Sequence, residues 1–117
     1  MTAFDRLPLP AEPQTPHDRL RRRTEAAVGA DIAAAILEEG HVGVDFTIVG
    51  SGPNGASPHH ELSDRTIAAG DLVVVDIGGE TSTGYRSDCT RTYVVGGSAP
   101  ADVAEWYGVL HAAQQAA

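Results

Sequence analysis

The sequence contains no lysine, only one cysteine, few aromatic residues and no long apolar run. Without a run of about 18 apolar residues it is not expected to cross a membrane. The N-terminus lacks the apolar segment of a secretory signal, and the single cysteine, Cys89, cannot form an intramolecular disulfide. We therefore expect a cytoplasmic protein, and its 117 residues suit one domain.

The charge balance is strongly acidic, with 16 aspartates and glutamates against eight arginines and a formal net charge of -8. This balance argues against nucleic acid as a partner, because such complexes depend on phosphate neutralisation. The one basic cluster, Arg19 to Arg23, is more typical of a solvated face where a helix begins, and we assign it no function.

The chain divides near residue 24. Residues 1–23 form a proline-rich and basic leader in which helix and central strand are disfavoured, so we predict a mobile segment. From Thr24, a good N-cap, the residues Val28, Ile32 and Ile36 recur every four positions until Gly40. The spacing predicts an amphipathic helix over 24–39.

The remaining sequence predicts an antiparallel sheet flanked by helices, which is an α+β fold. Strands are predicted over 45–50, 72–76 and 85–95, with a turn between Gly78 and Gly84. Pro100 favours the start of a last helix, whose apolar face carries Val103, Trp106, Tyr107 and Leu110.

The second and third predicted strands form a hairpin that carries two acidic residues. A turn centred on Ser82 pairs residues whose numbers sum to 164, which predicts that Asp76 faces Asp88 on one side of the sheet. Two opposed carboxylates repel each other unless a divalent cation lies between them. One alternative is that one aspartate is protonated. The other is that the strand pairing is shifted by one residue, which would put the two aspartates on opposite faces of the sheet.

Three linked motifs extend beyond this pair: GPNGASPHH, GDLVVVDIG and GYRSDCTRTYVVG. Together they resemble the catalytic domain of the pita-bread dinuclear metallopeptidases, the family of aminopeptidase P, prolidase and methionine aminopeptidase. The resemblance covers roughly Thr24 to Trp106. It implies that residues 24–117 are the N-terminal half of a pita-bread domain. The Pro-His-His-Glu stretch from Pro58 to Glu61 is more similar to the Xaa-Pro group than to methionine aminopeptidases.

The resemblance also implies roles for individual residues. Asp76 and Asp88 match two of the five protein ligands that hold two divalent metal ions, typically manganese, cobalt or zinc. The other three, a histidine and two glutamates, lie in the second half of the family's domain, which is absent from this chain. His59 matches a histidine that assists the tetrahedral intermediate, and its neighbour His60 falls where relatives often have tyrosine.

Parity along the last strand distinguishes the neighbours of Asp88. Thr90 lies on the same face as Asp88. Its hydroxyl can therefore orient a carboxylate that binds the metal, without binding the metal itself. Cys89 has the opposite parity and is expected to be buried. One residue more than is usual in the family separates Asp76 from Asp88, and we place that residue in the turn.

Two hypotheses follow. The first is a metal-dependent Xaa-Pro peptidase, whose partner is a peptide with proline at the second position. The second is a noncatalytic half-domain that acts as a binding or assembly module. Half a domain leaves apolar surface uncovered, which predicts self-association or a complementary partner. Under either hypothesis this chain alone is expected to be inactive, because two aspartates leave most of the coordination positions empty.

Overall fold

The computed structural model describes residues 19–117. In chain order the elements are helix α1 (Glu25–Glu38), strand β1 (His41–Ser51), a short 3-10 helix (Gly52–Ala56), strand β2 (Leu72–Thr81), strand β3 (Cys89–Val94) and helix α2 (Ala101–Ala116). The predicted α+β arrangement, with an antiparallel sheet and flanking helices, is confirmed. Most of the predicted leader lies outside the described residues.

Helix α1 forms where the apolar spacing predicts it, one residue shorter at each end. The hydroxyl of Thr24 accepts a hydrogen bond from the amide of Ala27 at 3.1 Å, so the predicted N-cap is confirmed. Val28, Ile32 and Ile36 are buried and pack against the sheet. The helix therefore covers one face of the sheet with the stripe that repeats every four residues.

The three strands form one antiparallel sheet in the order β1-β2-β3. Strand β1 is longer than the predicted 45–50 and contains two irregularities, between His41 and Gly43 and between Val44 and Phe46. Strand β2 continues through Gly78 to Thr81, so the turn occupies only the end of the predicted interval. Gly78 pairs with Phe46 beside the second irregularity of β1, and Gly84 and Gly96 have positive φ of 89° and 69°.

The predicted hairpin register is wrong by two residues. Observed partners sum to 166, so Asp76 pairs with Thr90 rather than with Asp88. The reason is that the turn lies one residue later, at 82–84, and is closed by a hydrogen bond from the amide of Thr81 to the carbonyl of Tyr85. Strand pairing has no irregularity between Leu72–Ile77 and Cys89–Val94, and the position of the extra residue in the turn stays a prediction.

The core lies between α1 and the covered face of the sheet. It consists of buried aliphatic side chains from several segments: Leu20, Val28, Ile32, Ile36, Val49, Ile67, Val73, Val75 and Val95. Leu20 precedes the boundary predicted at residue 24. The amide of Arg22 also donates to the carbonyl of Ile67, so the packed part of the chain includes residues ahead of Thr24.

The surfaces away from α1 remain open. Helix α2 contains no buried residue, and Trp106 and Leu110 on its predicted apolar face are 65% and 63% exposed. Cys89 is exposed, which makes the prediction of burial wrong, because β3 is an edge strand whose start is not covered by α1. Within residues 19–117, no helix is long and apolar enough to span a bilayer.

Candidate metal and substrate site

Asp76 lies on the sheet face opposite the core. Along β2, Val73 and Val75 are buried beneath α1, and period-two alternation places Asp76 on the other side, where it is half-buried. The hydroxyl of Thr90 donates to Oδ1 of Asp76 at 2.9 Å. The carboxylate is therefore held by its cross-strand partner. Thr90 lies on the face of the sheet that its position along β3 predicts.

Asp88 precedes β3 by one residue and is exposed. Continuation of the observed register places it opposite Gly78, so it is the diagonal neighbour of Asp76. Diagonal neighbours in a regular ladder lie about 7–8 Å apart, with a somewhat shorter distance between their Cβ atoms, and a shift of two residues keeps both on one face. The two aspartates thus share a face without being directly opposed.

The backbone just before Asp88 is fixed against β2. The amide of Ser87 donates to the carbonyl of Gly79 at 2.9 Å, and the amide of Gly79 donates to the hydroxyl of Ser87 at 3.1 Å. This close approach depends on Gly78, because a Cβ at that position would lie 2.3 Å from the carbonyl oxygen of Ser87.

Replacement of Gly78 with alanine is expected to displace the Asp88 segment. The added methyl group would meet a backbone oxygen and the ring of Phe46 at 2.6 Å, and overpacking of this kind costs about 1–3 kcal/mol. Urea unfolding should report this loss, and the amide signals of Ser87 and Asp88 should shift in NMR spectra. The matched control is Gly43→Ala in β1, where a Cβ meets nothing within 4 Å. Equal stability of the two variants would contradict the close approach.

A pocket of about 270 Å³ adjoins Asp76. One wall comes from the strands, and the other comes from the segment that follows β1. Its lining residues are Ile48, Gly50, Asn54, Gly55, Ser57, Pro58, Val74, Asp76 and Thr90. The pocket is apolar along the strands and polar at the Asp76–Thr90 pair, a combination that suits a small ligand oriented by a few polar groups.

The two histidines of the Pro-His-His-Glu stretch differ in their surroundings. His59 is exposed and follows Pro58, a residue that lines the pocket. His60 is half-buried, and its Nε2 lies 2.8 Å from Oε1 of Glu25. His59 therefore follows a lining residue without lining the pocket itself, and His60 makes a contact that the sequence did not indicate.

Glu25 is the residue that the sequence interpretation missed. It has no exposed surface, and its carboxylate accepts hydrogen bonds from the amide and hydroxyl of Ser51, both at 2.7 Å. Further donors are Asn54, His60 and the hydroxyl of Ser63. Only its place in the first helical turn was visible in the sequence, since its partners are 26 to 38 positions away.

The ionisation of Glu25 follows from these contacts. Burial alone would raise its pKa, because it disfavours the charged form. Hydrogen bonds from Ser63, His60 and Ser51 outweigh burial and lower the pKa from 4.5 to about 2. Glu25 is therefore a buried carboxylate at neutral pH.

Arg65 and Asp71 form a second charged group beside Glu25. Nη1 and Nη2 of Arg65 donate to the two carboxylate oxygens of Asp71 at 2.6 and 3.2 Å, and Nη1 also donates to the hydroxyl of Ser51 at 2.8 Å. The guanidinium lowers the pKa of Asp71 below its ordinary value. The Ser51 hydroxyl accepts from Arg65 and donates to Glu25, so it connects the Glu25 carboxylate to the Arg65–Asp71 ion pair.

The donor chemistry of Asp76 and Asp88 suits divalent cations, which take carboxylate oxygens as ligands. Among residues 19–117, however, no three His, Cys, Asp or Glu side chains are close enough to hold an ion together. Within the described part of the chain, the two aspartates would therefore supply only some of the ligands that a metal ion needs.

The chain is similar to known proteins in both sequence and structure. A model of the family described as "Metallopeptidase family M24" matches residues 3–117. "Probable dipeptidase PepE" of Mycobacterium tuberculosis is 60% identical over 95 residues, which cover 81% of this chain and 25% of that protein. "Xaa-Pro dipeptidase" of Pyrococcus furiosus is 52% identical over 50 residues, or 43% of this chain and 14% of that protein.

Solved structures give the same result. The crystal structure of dipeptidase PepE from Mycobacterium ulcerans matches with 58% identity and a TM-score of 0.78, over 81% of this chain and 25% of that one. The prolidase from Thermococcus sibiricus matches with 41% identity and a TM-score of 0.78, over 83% and 26% of the two chains. The chain spans about a quarter of the length of these relatives.

Proposed function

The chain belongs to metallopeptidase family M24, and from this membership we propose that it supplies part of the active site of an Xaa-Pro peptidase. Such an enzyme hydrolyses the bond between an N-terminal residue and a following proline. The resemblance drawn from the three motifs is confirmed, as is the pita-bread class of the fold. Members of the family are metal-dependent hydrolases, so divalent metal ions are the expected cofactors.

In this proposal Asp76 and Asp88 hold metal ions, with manganese, cobalt or zinc as the candidates. When bound, such ions polarise the substrate carbonyl and activate water. The Thr90 hydroxyl orients the Asp76 carboxylate by the bond it donates to Oδ1. His59 donates a hydrogen bond to the oxygen that becomes negative as the peptide carbonyl is attacked.

The observation that carries the proposal is the Asp76–Thr90 pair at the polar edge of the pocket. A hydrogen-bonded carboxylate beside an apolar cavity can bring a cation and a small substrate together. The Xaa-Pro preference draws support from the names of relatives, which include a prolidase and an Xaa-Pro dipeptidase. A cytoplasmic location remains a prediction from the sequence.

A second candidate function is a noncatalytic half-domain that binds a partner. Two observations favour it. Asp76 and Asp88 have no third possible metal ligand near them among the described residues, and α2 carries large apolar side chains that are exposed. The partner in this case is a second copy of the chain or a complementary half-domain, which would cover Trp106, Val109 and Leu110.

The two candidates are separated by grafting this chain into a complete relative. We expect the 117-residue chain alone to show no manganese-dependent hydrolysis of Ala-Pro above the rate without protein. In a graft, the chain replaces the 95 matching residues of the Mycobacterium tuberculosis relative, and we expect this protein to hydrolyse Ala-Pro faster than Ala-Ala. Release of free alanine, one molecule per Ala-Pro and two per Ala-Ala, is followed with and without manganese chloride and measures both rates.

Each outcome selects one interpretation. A folded but inactive graft would favour the noncatalytic half-domain. A graft that hydrolyses Ala-Ala as fast as Ala-Pro would contradict the Xaa-Pro preference while leaving a dipeptidase. Turnover by the chain alone would show that the ligands supplied by the rest of the domain are dispensable.

A further inference from the structure

One wall of the Asp76 pocket belongs to a segment with little apolar support. The segment from Ser51 to Ser63, called the 51–63 loop below, supplies Asn54, Gly55, Ser57 and Pro58 to the pocket and contains His59. Of these thirteen positions only Ser51 is fully buried. Its apolar neighbours include Gly29, which lies close to the Leu62 side chain, and Val74, which lies close to Gly55, and most of its side-chain hydrogen bonds go to one group.

Those polar contacts converge on one carboxylate. Oε2 of Glu25 accepts from the amide and hydroxyl of Ser51, where the loop begins, and both oxygens accept from the amide group of Asn54 at 3.1 and 3.2 Å. Oε1 also contacts His60 at 2.8 Å and the hydroxyl of Ser63, where the loop ends. A single side chain therefore holds the start, the middle and the end of the loop.

Backbone contacts fix Glu25 itself. Its amide donates to the carbonyl of Arg65 at 3.0 Å, and the next amide, of Ala26, donates to the carbonyl of Ser63 at 2.9 Å. These are N–H groups of the first helical turn, which have no partner within the helix. The start of α1 and the end of the loop are thus joined by backbone hydrogen bonds as well as by the Glu25 side chain.

We propose that Glu25 is a positioning residue that sets the distance of His59 and of the loop wall from Asp76. This role rests on the proposed function, because it matters only if His59 and Asp76 act on one substrate. Glu25 touches neither the pocket nor the candidate metal ligands, so it acts through the residues that it holds.

The chemistry of a carboxylate explains why glutamate is needed. An ionised carboxylate only accepts hydrogen bonds, and all five groups that face it can donate: the amide and the hydroxyl of Ser51 and the side chains of Asn54, His60 and Ser63. The low pKa of Glu25 keeps it in that form at neutral pH. A glutamine has the same shape, but its NH2 group would face donors instead of accepting from them.

The test is NMR spectroscopy of the complete 117-residue chain. In Glu25→Gln we expect amide hydrogen exchange of Ser57 and His60 to accelerate at least about tenfold, while amides of β2 and β3 keep their rates. Both amides are protected by bonds within the loop, to Asn54 and Ser57. The matched control is Glu61→Gln, the same change at an exposed position of the same loop.

Broadening of NMR signals by manganese chloride is a second measurement, and it would not change at His59 if Glu25 only stabilised the fold. In the unmodified chain, added manganese should broaden the signals of Asp76, Thr90 and the His59 ring together. In Glu25→Gln the broadening at His59 should fall at least twofold while that at Asp76 persists. If manganese broadens nothing near Asp76 in either chain, the two aspartates do not bind it without the remaining ligands, and the exchange rates decide whether Glu25 holds the loop. The metal role itself is then tested by the Asp76→Asn graft.

The proposal is overturned if loop amides in Glu25→Gln exchange at the unmodified rate, or if loop and strand amides accelerate equally. Should that variant unfold, Asn54→Ala replaces it, because it removes one donor to both Glu25 oxygens from a partly exposed turn. Selective acceleration at Ser57 and His60 in Asn54→Ala supports the role, and its absence overturns it.

Discussion

Replacing Asp76 with asparagine is expected to abolish most manganese-dependent hydrolysis of Ala-Pro by the grafted enzyme. The substitution keeps the shape of the side chain and its acceptor for the Thr90 hydroxyl, but removes the charge that binds a cation. Stabilisation of charge by a bound metal is worth several kcal/mol, and each 1.36 kcal/mol is a factor of ten in rate. We expect kcat/KM to fall on the order of 10²- to 10³-fold.

The control for this prediction is Asp64→Asn, the same change at an exposed aspartate outside the pocket. It should leave kcat/KM within about twofold of the unsubstituted graft, because surface substitutions away from special features have small effects. An Asp76→Asn graft that retains most of its activity would mean that Asp76 does not bind the metal. Excess manganese should restore little activity if the ligand itself is lost.

Replacing Glu25 with glutamine is expected to lower the free energy of unfolding of the chain by about 3 kcal/mol. A pKa lowered from 4.5 to about 2 corresponds to roughly this energy, at 1.36 kcal/mol per unit. Removing an ionised partner from buried donors costs a similar amount. Since domains of this size are stable by about 5–15 kcal/mol, the loss should be evident in urea unfolding at pH 7.

The same contacts predict a pH dependence with a definite sign. The pKa of Glu25 is lower in the folded chain than in the unfolded chain, so its stabilisation is complete above about pH 4.5 and is lost as the pH falls towards 2. Asp71, whose pKa is also lowered, adds to the decline at acidic pH in both chains. The difference in unfolding free energy between the unmodified chain and Glu25→Gln isolates the contribution of Glu25.

This difference should be constant between about pH 5 and 7 and should shrink on acidification by up to about 1.4 kcal/mol per pH unit. Glu61→Gln, the exposed control, should change stability by less than about 0.5 kcal/mol throughout. A Glu25→Gln difference that is small at pH 7, or that does not vary with pH, would contradict the assignment of Glu25 as an ionised buried acceptor.

The two predictions concern two parts of one site, the sheet that carries Asp76 and the 51–63 loop that carries His59. Asp76 and Thr90 stand on strands whose opposite face is buried under α1, so the sheet fixes their positions. His59 stands on a loop that depends on polar contacts to a helix on the other side of the pocket wall. If the proposed roles of His59 and Asp76 hold, stability and the geometry of the site are coupled through Glu25, which lies outside the pocket.

Several features were determined by the sequence alone. Helix α1 was predictable because its apolar residues repeat with the helical period and Thr24 supplies a local cap. The common face of Asp76, Asp88 and Thr90 was also predictable, since parity along a hairpin survives a register error of two residues. The metallopeptidase family followed from three motifs, which the family model confirms.

Other features were decided only by the tertiary structure. The register depends on which residues close the turn, and the bond between Thr81 and Tyr85 placed it one residue later than expected. The exposure of Cys89 depends on which strand lies at the edge of the sheet. The role of Glu25 depends on donors 26 to 38 residues away. Periodicity and capping act between near neighbours, whereas a buried hydrogen-bond network forms only when distant segments pack together.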